Sequence, residues 1–366
     1  MSSPFKLQKR ARTSTVNTFL MPVISVLMAL IIGAALLAVT GHDPIKSYTA
    51  MFKGGFGSLY GLSETIVKSI PLMLCALGIA LASRMQLWNI GAEGQLYMGA
   101  FGATWVALSF PDVSAFILLP AMCIVGAICG GIWGLLPGIP RAYLGVNEII
   151  TTLMLNYVAI LWVNYLVFGP WRDPAGFNFP LTPRFSENAM LPTFGDTRIH
   201  AGIIFAIVIA ILIHYGIKHS RWGYEIRVIG ESASAAKYAG MNIPKNIVLV
   251  MFLSGAICGL AGMAEVAGLT HLLQENFSPG YGYTGIIIAW LGKLNPAAII
   301  VVSILFGGLE AGGFSLQSSG VPLALVSMLQ GLILFFVLGT EILTRYRIVF
   351  NSKSKTAEGN NQWKQA

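Results

Sequence analysis

The chain has 366 residues, 55% hydrophobic and only 10% charged, with a formal net charge of +8. A soluble domain carries about 25% charged residues. A soluble fold of this composition would expose more apolar surface than water tolerates, so the composition indicates an all-α, polytopic membrane protein built as one helical bundle.

The positive charge does not form a nucleic-acid surface. It sits before the first apolar run (Lys6, Lys9, Arg10, Arg12), in 218–245 (Lys218, Arg221, Arg227, Lys237, Lys245) and near the end (Arg345, Arg347, Lys353, Lys355, Lys364). No nucleic-acid-binding fold motif accompanies it. That is the pattern of cytoplasmic segments flanking membrane helices, and no nucleic-acid partner is expected.

In chain order, residues 1–17 read as a cytoplasmic tail. The first apolar run, 18–40, exceeds the roughly 7–15 residues of a signal core and reaches the roughly 20 needed to span, so a retained anchor is expected. Further runs lie near 62–83, 92–110, 114–137, 147–169, 200–217, 246–269, 283–292, 296–314 and 320–342. Together they predict about ten transmembrane helices in one membrane domain over 18–343, followed by a cytoplasmic tail over 344–366. The run at 283–292 is too short to span alone and reads as a half-helix or part of a broken crossing. Six crossings return the chain to the inside at the basic segment 218–245, and four more leave the tail inside. The proline-rich segment 170–199, with nearly balanced charge, then forms an outer loop.

Residues 89–95, Asn-Ile-Gly-Ala-Glu-Gly-Gln, interrupt two apolar runs. Lipid satisfies neither an unwound backbone nor a charge. Such a segment persists where it is buried in protein or lines a watery path, the plain alternative being an ordinary loop at the membrane surface. Asn89, Glu93 and Gln95 therefore either line a path and bond a polar solute, or hold the break together, with Glu93 capping a helix start.

A weak repeat accompanies this break. Ala76–Ala80 followed by Asn89, Gly91 and Gly94 matches Gly259–Ala264 followed by Asn276, Gly280, Gly282 and Gly285, at an offset of about 187 residues. Five crossings lie between the copies, and an odd number inverts one relative to the other. Inverted repeats with broken helices place a substrate path at the repeat interface. Asn276, Tyr281 and Tyr283 are the matching path candidates, with the tyrosine rings able to stack on a base. Glu148 reads as structurally paired and Trp290 as packing. Glu265 and Glu310 sit in apolar surroundings and need a wet cavity, a partner or protonation.

No phosphate-binding loop, His-Glu-x-x-His or Gly-x-Ser-x-Gly motif occurs, so no catalytic residue is expected. The four cysteines lie in apolar runs without ligand spacing, and the histidines are scattered; no metal site is expected. In the basic segment, Ser232 is positioned to cap a short helix and Gly240 to end it. Mostly alanines lie between. A short, small-faced helix of this kind suits docking in a groove of another protein, or is a plain surface helix.

The elements Asn89–Gln95 and Asn147–Asn156, together with Gly230–Gly240, resemble the permease subunits of bacterial ATP-binding-cassette importers. The branch is the one serving branched-chain amino acids, simple sugars and nucleosides, and the likeness is strongest to its nucleoside and simple-sugar members, over about 20–345. The resemblance implies an inner-membrane subunit with both termini cytoplasmic, and nucleosides as cargo. A simple sugar such as ribose or galactose is the alternative, and a stand-alone secondary transporter is the rival outside the family. It implies a second permease, identical or homologous, and an extracytoplasmic substrate-binding protein received by 170–199. It also implies ATPase subunits that carry ATP and magnesium, while this chain holds no cofactor. The family's ATPase-coupling segment falls on Gly230, Glu231, Ala235, Ala236, Ala239 and Gly240.

Overall fold

The computed structural model describes residues 5–9, 15–317 and 320–350. Most of the expected C-terminal tail, and residues 1–4 and 10–14 of the N-terminal one, lie outside the described residues.

Two compact units are present. The larger, Gly33–Gln330, contains α2 (Pro44–Phe56), α3 (Leu59–Ser83), α4 (Ala92–Ser109), α5 (Ala115–Leu144), α6 (Glu148–Phe168), α7 (Gly202–His219), α8 (Arg221–Glu231), α9 (Ala233–Tyr238), α10 (Ile243–Glu265), α11 (Tyr281–Leu291) and α12 (Pro296–Gln317). The smaller joins the two ends of the chain: β1 (Phe5–Lys9) pairs antiparallel with β2 (Tyr346–Phe350), Phe5 opposite Phe350 and Lys9 opposite Tyr346. Helices α1 (Thr15–Val39) and α13 (Leu323–Arg345) run from one unit into the other. The expected tails are thus partly a two-stranded ribbon in an otherwise helical protein. That ribbon sets the two ends of the chain side by side.

All ten apolar runs are helices. Among the described residues six helices are individually long and apolar enough to cross a membrane, or seven if α1 and α2, bent by 117° at their junction, count as one broken span. The expected count of ten is therefore not reached by length and hydropathy alone. Helix α2 was not expected at all. Asp43 caps it, its Oδ1 accepting the N–H groups of Ile45 at 3.0 Å and Lys46 at 3.2 Å, with Pro44 at the first turn.

Burial sorts the helices. The apolar window of α3 is 89% buried, whereas those of α5, α6 and α7 are each 28% buried. A helix apolar all round and enclosed by protein is the centre of its bundle; apolar faces left open are those a bilayer or a second subunit covers. Glycines bring α4, α5 and α10 into backbone contact: Gly130 lies against Gly255 and Gly259, and Gly262 against Leu96 and Ala100. A second cluster packs Leu37, Met51, Leu316, Val321 and Leu329 together.

Candidate functional site

Helix α3 stops at Ser83, and the chain turns through Gln86, whose φ is 59°, into Asn89. Asn89 organises the break. Its Oδ1 accepts the Gly91 N–H at 3.1 Å and Gln95 Nε2 at 3.0 Å; its Nδ2 donates to Gln95 Oε1 at 2.9 Å and to Ser254 Oγ at 2.8 Å. Ser254 in turn donates to the Gly78 carbonyl at 2.7 Å. Asn156, projecting from α6, accepts the Gly94 N–H at 2.8 Å and donates to the Ile90 carbonyl at 2.9 Å and to the Tyr283 hydroxyl at 3.1 Å. Carboxamides thus satisfy backbone groups of the unwound segment at Gly91, Gly94 and Ile90, as a membrane interior demands.

The second break follows α10. A single π turn, Val266–Thr270, ends in His271 at φ 57°, and α11 begins at Tyr281. Ser278 Oγ accepts the N–H groups of Gly280 and Tyr281, each at 3.2 Å. The two helix starts then meet. Glu93 Oε2 accepts the Gly282 N–H at 2.7 Å, across a separation of 189 residues. At that offset Ser278 is the counterpart of Asn89, since each side chain receives the N–H of a glycine two residues on. Asn276, the counterpart expected from sequence, is instead exposed in the loop at φ 51°.

Of the expected path residues, Asn89, Gln95, Tyr281 and Glu93 (2% exposed) are buried within the chain, and Tyr283 is partly exposed on α11. Glu93 holds the break together by capping α11. Tyr281 packs inside, its hydroxyl bonded to Lys68 and Glu265. Glu148 pairs with Arg141 at 3.1 Å, and Trp290 stacks on Trp88 with ring centroids 5.1 Å apart. Asn156, Ser278 and Lys68 carry roles that sequence reading missed. The available signal was a strongly polar side chain well inside a mainly apolar helix for Asn156 and Lys68.

The proline-rich loop 170–199 lies over the second break. Thr182 N–H donates to the Leu273 carbonyl at 2.9 Å, Phe185 to His271 at 2.8 Å, and Leu191 to Ala267 at 2.9 Å. A cleft of about 510 Å³ there is lined by Arg184, Arg198, Thr193, Thr197 and residues 268–272. Behind it His200 is fully buried; its Nδ1 accepts the Gly202 N–H at 3.3 Å, and burial followed by the neighbouring His271 pushes its pKa down to about 4. Burial also lowers His271.

At the opposite end of α10, Ser232 caps α9 by accepting the Ala235 N–H at 3.3 Å, and Gly240 follows at φ +74°. The expected helix is present. Its facing is not as the alanine-rich sequence suggested: Ala236 is 0% exposed, whereas Tyr238 is 98% exposed. Glu231, Ala235, Ala239 and Gly240 are also exposed. Gly230 instead packs on the backbone of Arg84 and Met85, leaving no room for a side chain. Arg84, lowered by its burial and then by Arg227, donates to the Leu294 carbonyl at 2.6 Å. Helix α8 thus rests on the segment leading into the first break, and Arg84 in that segment reaches the chain leaving α11.

The model of the family described as branched-chain amino acid transport system permease component matches residues 61–338. The chain is 37% identical to a glucose ABC transporter permease of Haloferax volcanii, the match covering 89% of each chain. It is 36% identical to a guanosine ABC transporter permease of Bacillus subtilis, over 87% of this chain and 92% of that one. A nucleoside ABC transporter permease of Lactococcus lactis is 29% identical over 87% and 90%. Two broken helices meeting inside an apolar bundle, a small capped helix at one end and these relatives point the same way: the chain belongs to the family of branched-chain amino acid transport system permease components.

Proposed function

We propose that this permease carries nucleosides inward through the membrane, powered by ATPase subunits that bind ATP and magnesium and grip α9. The single observation that carries the coupling role is the exposure of α9. A capped, six-residue helix with Tyr238 fully outside offers an aromatic anchor to a groove. Hydrolysis would move α9, and through Gly230 and Arg84 the segment entering the first break. The two halves then repack between discrete arrangements. In this reading α8–α9 and both chain termini are cytoplasmic in a bacterial inner membrane, and a second permease, identical or homologous, covers open apolar helix faces. The cleft with Arg184 and Arg198 receives acidic residues of a substrate-binding protein.

Nucleoside cargo is favoured by the guanosine and nucleoside relatives and by Tyr283, whose partly exposed ring sits beside the first break, held by Asn156. Asn89, Gln95, Glu93, Tyr281 and Asn276 then act as supports of the path or its rim rather than as direct contacts. The glucose relative favours a simple sugar as the second reading. Uptake of labelled guanosine by cells expressing the whole system tests the choice. Competition by excess inosine but not by glucose is expected, and competition by glucose alone moves the assignment to sugars.

A further inference from the structure

Lys68 lies in α3 about 14 Å from the helix start, in the most buried helix of the bundle. Its Nζ donates to the Tyr281 hydroxyl at 3.0 Å and sits 5.8 Å from the centroid of that ring and 5.5 Å from that of Phe314. The Tyr281 hydroxyl donates onward to Glu265 Oε1 at a long 3.4 Å, while Glu265 Oε2 is buried without a hydrogen-bond partner. Beside them Glu310 Oε1 accepts Gln330 Nε2 at 2.8 Å, and Gln330 Oε1 accepts the Thr284 hydroxyl at 3.2 Å. Among the described residues no carboxylate forms an ion pair with Lys68.

Tyr281 and Glu265 are enclosed, but Lys68 is only partly buried and Phe314 is 45% exposed. An ammonium at this depth is not stable against hydrocarbon. Nor is it reaching for a membrane surface, because Tyr281, itself fully buried, holds it inward. The open side of Lys68 must therefore face water. One turn nearer the outer loop, Glu64 pairs with Arg198 at 2.9 Å, so a polar ladder leads from the outer cleft down to Lys68.

We propose that Lys68 and Phe314, backed by Tyr281 and Glu265, form a solute-binding subsite on the wall of the outer half of the passage, taking an uncharged polyhydroxylated solute. The ammonium donates to the solute's hydroxyls while the Tyr281 hydroxyl holds it in place, the free Glu265 oxygen accepts once the site opens, and the Phe314 ring covers an apolar sugar or base face. This inference rests on the transport reading above and deepens it.

The test uses the assembled transporter in intact cells, with Cys75, Cys123, Cys129 and Cys258 replaced by alanine and Lys68→Cys introduced. A membrane-impermeant cationic methanethiosulfonate is added outside. Labelling at least ten-fold faster than at Leu212→Cys, on a 64% exposed apolar position of α7, is expected. Whichever of guanosine and glucose the unaltered transporter imports should slow it. Labelling no faster than at Leu212→Cys, or unaffected by the imported solute, overturns the subsite. An unaltered transporter that imports neither counts against the cargo assignment instead, and labelling then decides on water access by itself. With the native cysteines present, Lys68→Met should lose uptake ten-fold or more and Lys68→Arg should retain most of it; full uptake by Lys68→Met also overturns the proposal.

Discussion

Replacing Gly282 by alanine strikes the contact between the two broken helices. A Cβ at this position would lie 2.6 Å from Glu93 Cα and 2.7 Å from the Ala92 carbonyl carbon. These are backbone atoms at the start of α4 and cannot rotate away. Relief requires the starts of α4 and α11 to separate by roughly 1 Å, which also stretches the 2.7 Å bond from Gly282 N–H to Glu93. Overpacking costs about 1–3 kcal/mol and weakening a hydrogen bond to a carboxylate about 1.5–3 kcal/mol, so a loss of about 3–5 kcal/mol is expected. The assay is thermal unfolding in detergent, paired with uptake. Gly216→Ala is the control: nothing lies within 4 Å of its Cβ position, and alanine favours the helix by about 1 kcal/mol. Gly282→Ala should melt well below both wild type and Gly216→Ala and transport poorly. A Gly282→Ala protein that melts with wild type and transports normally refutes the contact between the helix starts as the structural keystone.

Three further outcomes are expected. Tyr238→Glu should leave thermal stability unchanged and abolish substrate-stimulated ATPase activity, whereas Ala236→Glu should destabilise the chain by burying a charge; normal stimulation in Tyr238→Glu would remove α9 as the docking helix. Gly230→Ala should detach α8 from Arg84, seen as faster hydrogen exchange over 84–91, and unchanged exchange there contradicts that contact. His200, depressed to about 4, stays neutral when folded while the unfolded residue protonates below about 6.5. Its contribution is therefore complete above pH 6.5 and lost as pH falls toward 4, by about 3 kcal/mol in all. His200→Gln should flatten that part of the stability profile between pH 7 and 5, and an unchanged slope would show that other groups set it.

Much of this fold was legible because hydrophobic run length is a direct readout of membrane helices. The α9 helix was legible from Ser232 and Gly240, whose local chemistry needs no tertiary context. Helix α2 was not, because Lys46, Lys53, Gly54 and Gly55 lower its hydropathy; Gly55 is there to pack on Gly308. The Asp43–Pro44 start signal was present but carried no apolar run behind it. The facing of α9 was hidden because a stretch of alanines has no amphipathic side to betray which of them is buried. Asn89 and Glu93 stood out as polar residues in an apolar setting, but their partners Ser254 and Gly282 are 165 and 189 residues away. Lys68 was missed for the same reason, since Tyr281 lies 213 residues on. Sequence spacing reports local turns well and long-range pairing poorly.

The most direct measurement of the central claim is guanosine uptake into proteoliposomes holding the permease with its second permease, with and without the ATPase subunits, in the presence of the binding protein. ATP-dependent accumulation with the ATPases, none without them, and loss of accumulation in Tyr238→Glu are predicted. Concentrative uptake by the permeases alone, with no ATPase present, would contradict it.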